Sequence, residues 1–524
     1  MSPKTLSFAL ILSMLLPLAA AAQPAGHEEK KKESKAFRWE PPKPEEKLST
    51  TRHRVTVGGT EIAYTATAGT LLLKEEDGRP RASVFFVAYT RDGVKDPASR
   101  PVMFTFNGGP GSSSVWLHLG AFGPRRVAMD DEGMGALPPG RLVENAESLL
   151  DLADLVFIDP VTTGFSRAVP GEDPKQFHGV RGDIESVGEV IRLWTSRNGR
   201  WSSPKFLAGE SYGTTRAAGL VNHLQERHGM YFNGVVLISS ILNFQTARFD
   251  VGNDLPYPLF LPTYTATAWY HRKLPADLQQ GGLENALAEA ERFAPEYAAA
   301  LMKGNDLTEA ERQDIAGKLS RLTGLSREYL LGVHLRPVIH KVIKELMRRE
   351  GQTVGRLDSR FRGLDRDAGE AESEVDPSYA AIQGPYSASL NQYVRQDLGF
   401  QSDLPYEILT DRVGPWSYDE FANQYMNVAE DLRKAMARNP ALQVFVGNGY
   451  YDLATPYFAT EYTFDHLGFE PGYEQRVTQA YYEAGHMMYI RRADREKLKA
   501  DVAAFLRAAI RGERRSGGEA STIP

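Results

Sequence analysis

The chain has 524 residues, 42% of them hydrophobic and 24% charged, with a formal net charge of -6. This is the length and composition of a globular protein with a large core, built as one catalytic domain with an insertion or as two domains. The two signs of charge are interspersed, so there is no nucleic-acid footprint, and the absence of cysteine excludes disulfides, thiolate metal sites and cysteine nucleophiles.

The N-terminus reads as a cleaved leader, residues 1–22. Lys4 supplies the positive region, Leu6 to Leu18 is uncharged and mostly apolar, and Ala19-Ala20-Ala21-Ala22 offers small residues before Gln23. The run is short for a membrane anchor, and no later stretch is long enough to span a bilayer, so no stable membrane insertion is expected. The site lacks the cysteine that lipid anchoring needs. An exported chain without disulfides must rely on core size, which suits a bacterial periplasmic or secreted protein. Residues 23–50 carry Glu28-Glu29-Lys30-Lys31-Lys32-Glu33 and Pro41-Pro42-Lys43-Pro44 with no periodic apolar face, and read as a flexible linker.

Folded structure is expected from Thr51. Arg52–Val57 and Glu61–Ala68 alternate around Gly58-Gly59, a hairpin signal. Ala82–Thr90 and the short apolar runs Val102–Phe106, Leu155–Ile158, Phe206–Ala208 and Gly234–Ile238 read as strands, the later ones buried on both faces. Val180, Ile184, Val187, Ile191 and Trp194 recur at helical steps between two of them. Strands alternating with helices predict a mostly parallel sheet with helices on both faces. The alternation covers residues 51–240, lapses over 241–405, and resumes over 406–513 before a polar tail, 514–524. The lapse is helical by composition, notably Leu283–Lys303 and Thr308–Leu322, and includes a polar stretch, Gly351–Ser378. It reads as an inserted helical cap. Tyr418–Arg438 is predicted helical, Gln443–Val446 and Arg476–Tyr482 are predicted strands, and Asp494–Ile510 is a closing amphipathic helix.

Gly209-Glu210-Ser211-Tyr212-Gly213 follows the Phe206 strand and precedes a helix, the arrangement of a nucleophile elbow. A serine hydroxyl needs a base, and the base an orienting carboxylate, in the chain order Ser, acid, His. Asp452 lies just past the Val444 strand and His486 just past the Val477 strand, at the carboxyl edge where open α/β sheets place their sites. His27, His53 and His118 precede Ser211 in the chain, the remaining histidines have no strand just before them, and Asp159, though at a strand end, also precedes Ser211 and reads as a structural or subsite residue. Backbone N–H groups for an oxyanion would come from Tyr212 and, in the glycine-rich loop after Val102–Phe106, from Gly109. No lysine stands where a phosphate-binding loop needs one. No metal or other cofactor is implied.

Taken together, Asn107-Gly108-Gly109-Pro110-Gly111-Ser112-Ser113, Asp159-Pro160-Val161 with Gly164-Phe165-Ser166, Gly209-Glu210-Ser211-Tyr212-Gly213, Asp452 after Gly447-Asn448-Gly449-Tyr450-Tyr451, and Gly485-His486-Met487 resemble the serine carboxypeptidase family, from about Thr51 to Arg511. The resemblance implies an α/β-hydrolase fold with a helical cap, peptide substrates with a free C-terminus, and release of the C-terminal residue. It implies that Asn107, Gly108 and Glu210 bind the substrate's terminal carboxylate. That role suits their chemistry, because two carboxyl groups in contact share a proton rather than both ionising. The chain departs from the family at Ser112, where cysteine is usual, and at Met487-Met488-Tyr489, where Met-Val-Pro is common. The second departure bears on specificity, not on the chemistry. A carboxylesterase or lipase would share Ser211, Asp452 and His486 but has no use for Asn107 and Glu210. An acyltransferase would need an alcohol acceptor site, and a binding protein with a dead site would not need the complete triad.

Overall fold

The computed structural model describes residues 43–468 and 472–512. The expected leader, most of the linker and the polar tail lie outside them. The described residues from Pro44 onward form one compact unit. Its centre is a ten-stranded sheet. The strands along its main path are β1 (Leu48–Val57), β2 (Thr60–Lys74), β3 (Pro80–Arg91), β4 (Val102–Phe106), β5 (Asp154–Ile158), β6 (Lys205–Ser211), β7 (Gly234–Ser240), β8 (Gln443–Gly449) and β9 (Val477–Tyr482). Their spatial order is β1-β2-β3-β5-β4-β6-β7-β8-β9, and the short strand Arg167–Ala168 pairs with β3. Neighbours from β5 to β9 run parallel, and β1 to β3 form an antiparallel flank ending on β5.

The burial pattern explains the layers. β4, β5 and β7 are buried at every position, so apolar side chains leave both faces and both must be covered. On one face Phe104, Leu207 and Val235 pack beneath the helices Val180–Arg197, Tyr212–His228 and Ala429–Arg438. On the other, Phe157, Phe206 and Phe445 pack with Leu498, Val502 and Phe505 of the closing helix Arg492–Arg511. Between β7 and β8 lies a mostly helical region with its own core around Phe260, Tyr264, Tyr297 and Leu319. Glu309–Thr323 starts there with a capping box, Thr308 and Glu311 satisfying each other's backbone N–H.

Several elements differ from the sequence reading. β1 starts at Leu48, inside the segment read as linker, because Leu48–Thr50 pair with Thr67–Gly69 of β2. Tyr418–Arg438 is not one helix. Asp419–Phe421 is a single 3₁₀ turn and the α-helix starts at Ala429. Asn423 adopts φ 63, a left-handed conformation that stops a helix, and Asn427 is diverted into a bridge with Asn243. The helices Pro256–Tyr270 and Pro377–Gln396 carry Pro262 and Pro385 internally, residues that mask helical periodicity in a sequence. The polar stretch after Gly351 holds a small hairpin, Gln352–Val354 with Arg362–Leu364.

Candidate active site

β6 runs into its helix without a loop. Ser211 takes φ 59 and ψ -132, and the helix starts at Tyr212. Such a conformation costs a residue with a side chain about 1–3 kcal/mol and is kept only where the surroundings impose it. A Cβ on Gly209 would lie 2.1 Å from the Gly213 carbonyl oxygen. The turn therefore closes only because position 209 has no side chain.

β4 lies parallel to β6 with Phe106 opposite Gly209, so the next residues of the two strands, Asn107 and Glu210, become neighbours. Asn107 Nδ2 donates to Glu210 Oε1 at 3.0 Å, and the Tyr489 hydroxyl donates to Glu210 Oε2 at 2.6 Å. Glu210 is 2% exposed. Burial pushes its carboxyl up to about 7, against the opposing pull of His486, Tyr489 and Asn107. Asn107 is held from behind. Its Oδ1 accepts from the Leu117 N–H at 3.1 Å, and its carbonyl accepts from Arg216 Nη1 at 2.6 Å. Arg216 is itself paired with buried Asp183 at 2.7 Å. A Cβ on Gly108 would lie 2.3 Å from the Tyr212 nitrogen, so the glycine loop rests directly on the elbow. Gly109 continues that loop at φ 101.

Asp452 is fully buried just past β8. Its Oδ1 accepts from the N–H groups of Ala454 and Thr455 at 2.8 and 3.0 Å. Its Oδ2 accepts from Thr455 Oγ1 at 2.6 Å and lies 2.7 Å from His486 Nδ1. That contact orients the ring and leaves Nε2 as the free nitrogen. Burial pulls the His486 pKa down, but the charge and hydrogen bond of Asp452, with Glu210 beyond, outweigh it and hold the ring above its ordinary value. The His486 backbone is clamped at both ends. Its N–H donates to the Leu357 carbonyl at 2.6 Å, and its carbonyl accepts from Ser239 Oγ at 2.7 Å. Asp358 Oδ2 accepts the preceding Gly485 N–H at 3.0 Å.

Asn107, Gly108, Gly109, Glu210, Ser211 and His486 line a single open cleft of about 190 Å³. Asp452 stands behind His486, and the Tyr212 nitrogen sits against Gly108. All eight residues named from the sequence thus meet at the carboxyl edge of β4, β6, β8 and β9. The rest of the wall includes Trp116, Tyr379, Ile382, Leu409 and Met487, with Arg356 the lone lysine or arginine. Asp159 is not in the wall. It is buried, accepts from the Ser114 N–H and Oγ at 2.8 Å each, and so props the glycine loop from beneath, its carboxyl raised to about 6 by burial. His118 is buried against Phe157 and the Tyr89 hydroxyl, its pKa lowered to about 3 by burial, a packed core histidine.

Sequence reasoning missed Arg356, Leu357 and Asp358, which sit in a polar stretch without periodicity and reach the site only through the fold. It also missed Tyr489's contact with Glu210, although the departure at Met487-Met488-Tyr489 marked the spot. Among the described residues, no helix is long and apolar enough to cross a membrane.

Comparison with known proteins bears on the family and the fold. A family model described as serine carboxypeptidase matches residues 65–499. Serine carboxypeptidase-like 11 of Arabidopsis thaliana is 30% identical over 136 residues, 25% of this chain and 30% of the relative. Serine carboxypeptidase-like 46 of the same plant is 25% identical over 249 residues, 43% of this chain and 50% of the relative. The chain thus spans half or less of the length of these curated relatives. A solved structure of a prohormone-processing carboxypeptidase from Saccharomyces cerevisiae superposes with a TM-score of 0.55 at 16% identity, covering 84% of this chain and 91% of that one. The architecture is the α/β-hydrolase fold.

Proposed function

This chain belongs to the serine carboxypeptidase family, and we propose that it releases C-terminal residues from peptides through an acyl-enzyme on Ser211. The observation that carries the reading is Glu210, a buried carboxyl held near neutrality beside the nucleophile and facing the same cleft. Below about pH 7 it keeps its proton and can share it with the substrate's terminal carboxylate, while the second Asn107 amide hydrogen and the Gly108 N–H donate to the same group. An esterase would gain nothing from a buried acid in that place.

In this reading Ser211 Oγ attacks the last peptide carbonyl as His486 Nε2 takes its proton. Asp452 keeps the ring in the required tautomer and stabilises the imidazolium. The N–H groups of Gly109 and Tyr212 receive the developing oxyanion. His486 then returns the proton to the departing amine, and a water activated by the same ring releases the acyl group. The pH dependence follows from two groups. His486 must be neutral to act as base, and Glu210 must be protonated to read the carboxylate. Turnover of free-carboxylate peptides should fall as pH rises through about 7, chiefly through KM.

The test compares a blocked dipeptide with its C-terminally amidated form at pH 5 and pH 8. A strong preference for the free acid at pH 5 is expected. Equal rates on both would refute the reading and favour a general hydrolase. The same proposal includes a core of residues 51–240 and 406–513, a cap over 241–405, and export to a bacterial periplasm or medium. Export rests on the leader, and bacterial origin on the lack of cysteine; the relatives named above come from a plant and a yeast.

A further inference from the structure

We propose that Arg356 is the specificity-determining residue of the cleft and takes the side-chain carboxylate of an aspartate or glutamate within the last two residues of the peptide. The inference rests on the peptidase reading above and adds the substrate class. Arg356 lines the same cleft as Ser211 and His486, and its charge reaches His486, whose protonation it opposes. Its backbone is fixed on both sides. Its N–H donates to Asp376 Oδ1 at 3.3 Å, and its carbonyl accepts the Leu453 N–H at 3.1 Å. The next residue, Leu357, is the one clamped to His486.

The guanidinium, by contrast, has no hydrogen bond or ion pair with any described residue. Three buried arginines of this protein are each matched with a carboxylate: Arg200 with Asp154, Arg216 with Asp183, and Arg360, in the same hairpin, with Asp358. A half-buried guanidinium carries five donors in a rigid fork and binds a carboxylate bidentately. Arg356 lines a cleft whose other wall side chains include the largely apolar Trp116, Tyr379, Ile382, Leu409 and Met487. Glu210, the cleft's acid, is already bonded to Asn107 and Tyr489. The anion that completes Arg356 must therefore come with the substrate.

The experiment uses the full chain and blocked dipeptides carrying Glu, Gln or Lys at the last or the penultimate position, scored in two ways. Turnover tests the peptidase reading. Slowing of Ser211 labelling by a fluorophosphonate tests Arg356 without requiring turnover. The expected result is a preference for Glu over Gln of about tenfold or more at one position, erased by Arg356→Gln, kept by Arg356→Lys, and inverted toward Lys by Arg356→Glu. Labelling in the absence of peptide shows that each variant retains its site. Equal protection by Glu and Gln peptides in the parent protein overturns the proposal. So does an Arg356→Gln variant that weakens every free-carboxylate peptide alike, since that would place the arginine on the terminal carboxylate. Protection by acidic peptides without turnover would uphold Arg356 while refuting the peptidase reading.

Discussion

Tyr489→Phe isolates the acid that distinguishes this site. The substitution keeps the ring and removes one hydroxyl, which donates at 2.6 Å to Glu210 Oε2 in a fully buried setting. A hydrogen bond to a charged group contributes about 1.5–3 kcal/mol. Here it favours the ionised form, so its loss should raise the Glu210 pKa by about 1–2 units at about 1.4 kcal/mol per unit. The protonated acid would then persist from about 7 to at least one unit higher. Because the Glu210 charge also raises His486, a more neutral Glu210 should let the base lose its proton earlier. The pH profile of kcat/KM for a blocked free-acid dipeptide should therefore extend at its alkaline limb and hold or widen at its acid limb. An amidated or ester substrate, measured in parallel, should show no alkaline extension. An alkaline limb that stays put or retreats would refute the argument that Glu210 must be protonated to bind substrate.

Glu210→Gln should stabilise the fold, and more so at high pH. The folded-state pKa of about 7 exceeds the ordinary 4.5, so the acid is neutral in both states below 4.5, and the parent loses stability as pH rises toward 7. The gap should reach up to about 3 kcal/mol at pH 8 and shrink at pH 5 in urea melts; an equal gap at both pH values would exclude the linkage. Ser211→Gly and Ser211→Ala should both abolish turnover. The glycine variant should be the more stable by about 1 kcal/mol, because relief of the φ 59 conformation exceeds glycine's added unfolded-state entropy, and thermal melts decide this. Gly108→Ala places a methyl 2.3 Å from the Tyr212 nitrogen and should lower kcat by about 100-fold or more by displacing the oxyanion donors; an unchanged kcat would show that the loop does not act there.

The parts of this site legible in the sequence are those a strand delivers. A short strand followed at once by Asn107, ending in Glu210-Ser211, or followed shortly by Asp452 or His486 marks a carboxyl end, and parallel register then brings those ends together. Arg356, Leu357 and Asp358 had no such carrier. Their approach to His486 depends on how the insertion folds back, which no local period encodes. The same limit explains Tyr418–Arg438, where composition favours helix but tertiary pairing at Asn427 prevails. Pro256–Tyr270 is buried at every position from Pro256 to Ala268, so it offers no one-sided apolar stripe to read as a helix.

The hairpin after Gly351 sews the two late loops together. Its backbone meets Tyr451 through Ser359 and Leu453 through Arg356 on the acid side, and His486 through Leu357 on the base side. In the proposed mechanism the alignment of acid and base therefore depends on the inserted segment as well as on the sheet. A sheet without that segment would carry Ser211, Asp452 and His486 yet lack the backbone contacts that hold the Asp452 loop and the His486 loop against one scaffold.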